Sequence, residues 1–210
     1  MAELENDFKQ SGGEWREFRI GELFEVATPK KRFDVNKIQF GGAYAYVARG
    51  RENNGIRGYI DEDLEFLNPA NTISFGQDTA TMFYQTQPYF TGDKIKIFSF
   101  KKGVLNRYNA NFLIASMQKA FSNFSWGSTS FKVEALKNVV IFLPVYENNI
   151  IAFDYMESYI QELERERIQE LEVYLSVAGF KDTKLNDKEK EALQIFTDSS
   201  KSGGGGQLVA

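Results

Sequence analysis

From Asp154 the chain reads DYMESYIQELERERIQELEVYL, 22 residues without a glycine or proline. Met156, Ile160, Leu163, Leu171 and Tyr174 recur at three- and four-residue steps and form one stripe. Arg167 interrupts the stripe, Ile168 lies beside it, and the other faces are Glu and Arg. That pattern predicts a long helix with an apolar seam too narrow for a buried core helix. The helix therefore needs a partner, either the residues that precede it or another helix.

The preceding residues read mostly as strand and loop. EWREFRIGELFEV (14–26) reads as a short strand running into a brief helix or turn at Gly21. TPKKRFDVNK is a basic loop around Pro29, and AYAYVARGRENNGIRGYI (43–60) is strand, polar loop, strand. A turn at Pro69 precedes a strand with alternating Ile73 and Phe75. TATMFYQTQPYFTGDKIKIFSF carries two strand-like runs, with clean period-two alternation over 94–100. The period then changes. Ala110, Leu113, Ile114, Met117, Phe121 and Phe124 mark one face of an amphipathic helix. A small-residue loop, a short helix (EALKNV) and a buried strand ending at Pro144 complete the segment. Strands interrupted by helices, without strict alternation, predict one α+β domain over 14–146 with a mixed sheet and packed helices.

Around that domain we expect a flexible leader over 1–13, the long helix within 147–178, and a short helical tail over 179–198. Gly179 is the expected helix stop, and Asn186 with Glu189 the expected capping box. Residues 199–210 read as a Gly/Ser-rich linker.

Composition narrows the function. With 42% hydrophobic and 15% aromatic residues the chain can bury a core. It has no histidine and no cysteine, which excludes Ser-His-Asp and Cys-His catalysis, thiolate metal sites, common zinc sites and disulfides. No dinucleotide fingerprint or phosphate-binding loop is present. Asp182-Thr183-Lys184 has the spacing of one fragment of a nuclease motif, but it falls between two predicted helices. No apolar run approaches the roughly 18 residues of a membrane span, and a cytoplasmic protein is expected. The net charge of −4 is uneven. Residues 1–150 hold 18 Lys and Arg against 17 Asp and Glu, whereas residues 151–210 hold 7 against 12. A near-neutral domain can still present a basic face to nucleic acid, and an acidic helix suits a protein contact.

Three loops carry groups that read DNA. The first holds Arg49, Arg51 and Arg57 among Asn53, Asn54 and two glycines. Arginine forks match guanine and phosphate, and Asn can pair with adenine. The second offers Gln77, Thr79, Thr81, Tyr84 and Gln85. The third offers Ser128, Thr129, Ser130 and Lys132, hydroxyls and a cation suited to phosphate, beside Trp126. A solvated hairpin loop, an ordinary polar strand pair and a core tryptophan would account for the same residues.

The segments EWREFRIGELFEV, AYAYVARGRENNGIRGYI, NTISFGQDTATMFYQTQPYFTGDKIKIF and GSTSFKVEALKNVVIFLP, in this order before a long charged helix, resemble one half of a type I restriction–modification specificity subunit. The resemblance runs over about residues 14–178. It implies a target recognition domain that reads a half-site in double-stranded DNA, and a long helix that pairs antiparallel, in coiled-coil fashion, with that of a second half. It further implies a subunit with no chemistry of its own. Such a subunit recruits a DNA methyltransferase subunit using S-adenosylmethionine and, through the assembly, a restriction subunit using ATP and Mg. The family's usual member holds two recognition domains and two helices, and this chain one of each, as a truncated form or a natural half-subunit. Two copies are then expected to associate through residues 150–178, along Met156, Ile160, Leu163, Arg167, Leu171 and Tyr174. Arg167 would pair with a Glu of the partner. The competing expectation is a protein-interaction adaptor that docks a partner on the acidic helix and reads no DNA.

Overall fold

The computed structural model describes residues 1–122, 132–179 and 186–201, the last seven by backbone alone. In chain order the elements are α1 (Ala2–Gln10), β1 (Glu14–Arg19), α2 (Ile20–Leu23), β2 (Phe24–Ala27), β3 (Tyr44–Val47), β4 (Ile56–Ile60), β5 (Thr72–Gly76), β6 (Thr81–Gln85), β7 (Tyr89–Thr91) and β8 (Ile95–Phe100). They continue with α3 (Arg107–Phe121), α4 (Val133–Lys137), β9 (Val140–Tyr146), β10 (Ile150–Ile151), α5 (Phe153–Val177) and α6 (Asp187–Lys201). The strands form three small sheets, ordered β1-β9-β10, β2-β8-β5-β6 and β4-β3-β7. Among the described residues only the β3–β7 pair is parallel. The α+β expectation holds.

The main core joins the β2-β8-β5-β6 sheet, helix α3 packed on β6, and β9, with α5 against α3 and β9. On β8, Ile95 and Ile97 are buried on one face, as the alternation predicts. Phe98 is buried on the other, with its ring against Phe24 (5.8 Å) and Phe75 (5.7 Å). β8 is a central strand, hydrogen-bonded to β2 along one edge and to β5 along the other. The stretch read as two strands contains three. Pro88 separates β6 from β7, since it lacks a backbone donor. Tyr89 opens β7 fully buried, its hydroxyl 3.1 Å from Thr72 Oγ1, and burial raises its pKa.

The buried face of α3 is the expected one, with Ala110, Leu113, Ile114, Met117 and Phe121; Phe124 lies outside the described residues. Asn106 caps α3, accepting from the Tyr108 and Asn109 backbone N–H groups, and Asn109 Oδ1 accepts from the Asn106 N–H in return. Both amide side chains also donate to Glu157 Oε1 on α5, at 2.6 and 3.2 Å. This ties the helix start to α5.

The segment expected to be a flexible leader is the helix α1. Phe8 is buried and stacks on Tyr155 with ring centroids 4.1 Å apart; Tyr146 and Ala152 complete the cluster. A Cβ on Gly13 would lie 2.2 Å from the Phe8 ring, so the chain can double back over that ring only with glycine there. Tyr146 donates to Asp154 at 2.9 Å, and burial together with that bond pushes its phenol up to about 12.

At the other end, α5 stops at Gly179 (φ +90°), and Asn186 and Glu189 form the expected reciprocal cap of α6. No helix among the described residues is long and apolar enough to cross a membrane.

Phe8→Ala should lower stability by about 3 kcal/mol, the low end for emptying a buried phenylalanine site. Urea denaturation measures it. A leader that did not pack would leave the midpoint unchanged.

Candidate nucleic-acid interface

The β3–β4 connection is built on three consecutive left-handed residues, Asn53 (φ +47°), Asn54 (+53°) and Gly55 (+74°). Asparagine tolerates this region better than other side chains, and glycine has no penalty there. At Gly55 space decides as well. A Cβ would come within 3.1 Å of the Phe83 ring and 3.2 Å of the Ala48 carbonyl oxygen. The Ala48 N–H donates to the Gly55 carbonyl at 2.8 Å and the Gly55 N–H to the Glu52 carbonyl at 2.9 Å, closing the loop on itself.

The loop overhangs a cleft of about 1200 Å³. Arg49, Arg51, Asn53 and Arg57 line it together. Thr79 joins them from the β5–β6 turn. Arg32 also lines it, from the basic loop that sequence reasoning noted but did not assign, and so do Asp34, Glu52 and Asp93. The acids are partly committed. Arg32 pairs with Asp93 at 3.0 Å. Asp78, beside the cleft on the β5–β6 turn, takes both Arg49 and Lys94. Arg51 and Arg57 have no ion-pair partner among the described residues. The Arg57 guanidinium nonetheless acts on the cleft wall, partly offsetting the rise that burial imposes on the Tyr46 pKa.

Two expected readers do other work. Gln85 is buried, and its Nε2 donates to the Asn54 carbonyl at 3.0 Å and to Ser74 Oγ at 3.1 Å. It holds the left-handed turn from beneath, so it cannot reach a base. Tyr84 is partly buried, with its hydroxyl 2.6 Å from Asn71 Oδ1 and 2.9 Å from the Leu105 carbonyl oxygen, which ties β6 to the entry of α3. Thr81 shares a 2.8 Å hydrogen bond with Thr79, and Gln77 sits on the same turn with its N–H on the Lys94 carbonyl at 2.9 Å. Asn54 gives the turn its backbone and is not on the cleft wall. Lys132 is exposed at the start of α4, away from the cleft lining. Ser128, Thr129, Ser130 and Trp126 lie outside the described residues, as does Asp182-Thr183-Lys184. Among the described residues no group of His, Cys, Asp and Glu could hold a metal ion.

The helix stripe divides. Met156 (0% exposed) and Ile160 (8%) belong to the chain's own core, which removes them from any partner surface. Leu163, Leu171 and Tyr174 are exposed, together with Ile168, Val173 and Val177. Arg167 pairs with Glu170 of its own helix at 2.6 Å, in place of the expected partner glutamate.

A domain of small, mostly antiparallel sheets with a long helix leaving it is the fold of restriction–modification specificity subunits. The S subunit of a type I system from M. genitalium shares it at a TM-score of 0.55 and 15% identity, covering 96% of this chain and 48% of that one. The HsdS subunit from Thermoanaerobacter tengcongensis does so at 0.52 and 11%, covering 96% and 51%. The family model for the type I restriction modification DNA specificity domain matches residues 12–173, and the chain belongs to that family. Among curated proteins, the type II restriction enzyme specificity subunit S.BcgI of Heyndrickxia coagulans is 31% identical over 149 residues, 70% of this chain and 42% of that protein. The chain thus spans about half the length of these relatives.

Gln85→Met keeps the size of the side chain and removes both donations. It should cost about 1–3 kcal/mol, the range for stranding a buried carbonyl. Hydrogen exchange at the Gly55 amide should rise with it. An unchanged loop exchange rate would show that Gln85 does not hold the turn.

Proposed function

We propose that this chain is a non-catalytic sequence-reading module of a restriction–modification system, placing its arginine cleft against one half-site of duplex DNA. The observation that carries the reading is the pair Arg51 and Arg57. Arg51 stands on a turn fixed by its own backbone and by Gln85, and Arg57 on the start of β4 that follows it, both with no acid partner among the described residues. A guanidinium held this way matches either the guanine edge or a phosphate, and pre-organisation lowers the cost of using it. The chemistry of modification and cleavage would belong to partners, a DNA methyltransferase subunit using S-adenosylmethionine and a restriction subunit using ATP and Mg.

The second half of the reading concerns α5. The first two turns are anchored in the core, so pairing with another half would use Leu163, Ile168, Leu171, Tyr174 and Val177. At about 1.5 Å per residue the 25-residue helix is roughly 37 Å long, near the about 34–36 Å of one DNA turn. A two-fold pair of such halves would read a palindromic site with a spacer.

Fluorescence anisotropy on duplex DNA tests the cleft. Arg51→Ala or Arg57→Ala should cost about 1–3 kcal/mol and relax one base position if the arginine reads guanine. If it holds phosphate, binding weakens for all sequences and the salt slope falls by about one. Loss of neither affinity nor selectivity in both variants would reject the reading. Light scattering tests the helix. The chain should run at twice its 24.0 kDa mass, and Leu171→Glu should return it to the monomer. A wild-type monomer at micromolar concentration, with no partner present, would reject the pairing.

A further inference from the structure

Three turns meet at one carboxylate oxygen. Arg49 comes from the β3–β4 loop and Lys94 from the β7–β8 turn; both contact Oδ2 of Asp78 on the β5–β6 turn, Lys94 Nζ at 2.9 Å. The backbone holds them there. The Gln77 N–H donates to the Lys94 carbonyl at 2.9 Å, and Lys94 and Ala80 both adopt left-handed conformations, φ +57° and +48°. All three side chains remain 39–49% exposed, so water and ligands reach them.

We propose that Asp78 is a specificity-determining residue that acts as an electrostatic brake, withholding Arg49 and Lys94 from DNA phosphates until cognate base contacts form. The inference rests on the DNA-reading function proposed above. Phosphate and carboxylate compete for the same cations, and a cation already on Asp78 gains little from a phosphate at the same distance. Taking either cation would also bring phosphate toward a carboxylate left with one cation fewer. Random DNA offers only backbone, so it meets this opposition in full, whereas a cognate half-site adds base contacts through Arg51 and Arg57 to overcome it. The brake thus lowers non-specific binding more than specific binding, and the ratio between them is what a sequence reader needs. It also fits a recognition segment whose charges nearly balance, 18 basic against 17 acidic over residues 1–150. The hydrogen bond from Lys94, followed by the charges of Lys94 and Arg49, holds the Asp78 carboxyl below the usual carboxylate range. It therefore stays charged throughout the neutral range, and a fall in pH releases it only below that range.

The test compares wild type with Asp78→Asn, Asp78→Glu and Glu3→Gln. Glu3 is exposed on α1, and its substitution removes one charge at a site that does not line the cleft. Affinity for a short random-sequence duplex is measured by anisotropy across a salt series. The bases selected from a random pool are read in complex with the methyltransferase subunit. Asp78→Asn should bind random duplex more tightly. Its slope of log K against log salt should steepen by about 0.9 for one freed cation and about 1.8 for two. Its selected half-site should carry less information. Asp78→Glu should behave as wild type, and so should Glu3→Gln. A gain in affinity separates this role from a structural one, because a damaged turn would lose affinity. An unchanged or shallower slope in Asp78→Asn overturns the inference, and so does a Glu3→Gln variant that reproduces the effect. If the wild-type complex selects no sequence, the DNA-reading function itself fails. If it selects one and Asp78→Asn leaves the slope unchanged, the brake alone fails.

Discussion

The seating of α5 on the recognition domain governs what the rest of the molecule can do. Glu157 receives two amide donors, from Asn106 and Asn109, at the start of α3, where the backbone dipoles also favour a negative charge. Met156 and Ile160 flank it in the core, and Phe8 closes over Tyr155 from the other side. Hydrogen bonds to a charged group are worth about 1.5–3 kcal/mol each, more than neutral ones. The exposed Arg107–Glu164 pair on the same seam adds little by comparison. With apolar contacts on two sides and a charged staple between them, the first two turns of α5 have little freedom to swing. A spacer can set a distance only if its base is fixed, so this joint is what would give the helix length any meaning for half-site spacing.

The cleft solves a related problem by different means. Its loop is short, so a hydrophobic core of its own cannot hold it. Rigidity comes instead from backbone geometry that few residues adopt and from one buried amide beneath. Asn53, Asn54 and Gly55 take the left-handed region at little cost, where most other side chains would resist it. The Gln85 donation to the Asn54 carbonyl then pins the turn in that geometry. Arg51 can then project from a held loop, and Arg57 from the strand β4 that the loop enters. Acids around the rim pair with Arg32, Arg49 and Lys94 and leave Arg51 and Arg57 as the cations ready to engage.

Much of this was legible in the sequence, and the failures share a cause. Period-two alternation located β8, and the change of period located α3 and its buried face, because burial imposes those patterns directly. The order of segments gave the α+β class. Polar side chains carry no such pattern. Gln85 and Tyr84 looked like readers of DNA because their groups can hydrogen-bond a base. The same groups can equally satisfy a buried carbonyl, and composition cannot tell which. Lys94 and Asp78 were passed over because each is unremarkable until three turns distant in sequence bring them to Arg49. At the amino end, Leu4 and Phe8 lie one helical turn apart in an otherwise polar stretch, a signal weaker than the acidic composition around it.

The helix stripe shows the same ambiguity in its sharpest form. Periodicity establishes that Met156, Ile160, Leu163, Leu171 and Tyr174 face one way, but a stripe does not say whose core it faces. The fold divides it. Residues up to Ile160 are buried within the chain, and those from Leu163 onward face solvent. Arg167 falls just beyond the division and is satisfied by Glu170 one turn ahead. A leucine there would join Leu163 and Leu171 into one unbroken exposed seam. In the proposed pairing, a partner helix could then slide along that seam by a turn with little change in buried area. A charged residue at this position would interrupt the seam between Leu163 and Leu171. Alignments that set an apolar face over the interruption would bury Arg167 and its glutamate at a desolvation cost. The apolar residues on either side of Arg167 would then supply attraction and the ion pair register, the division of labour seen where a single polar residue fixes the alignment of paired helices.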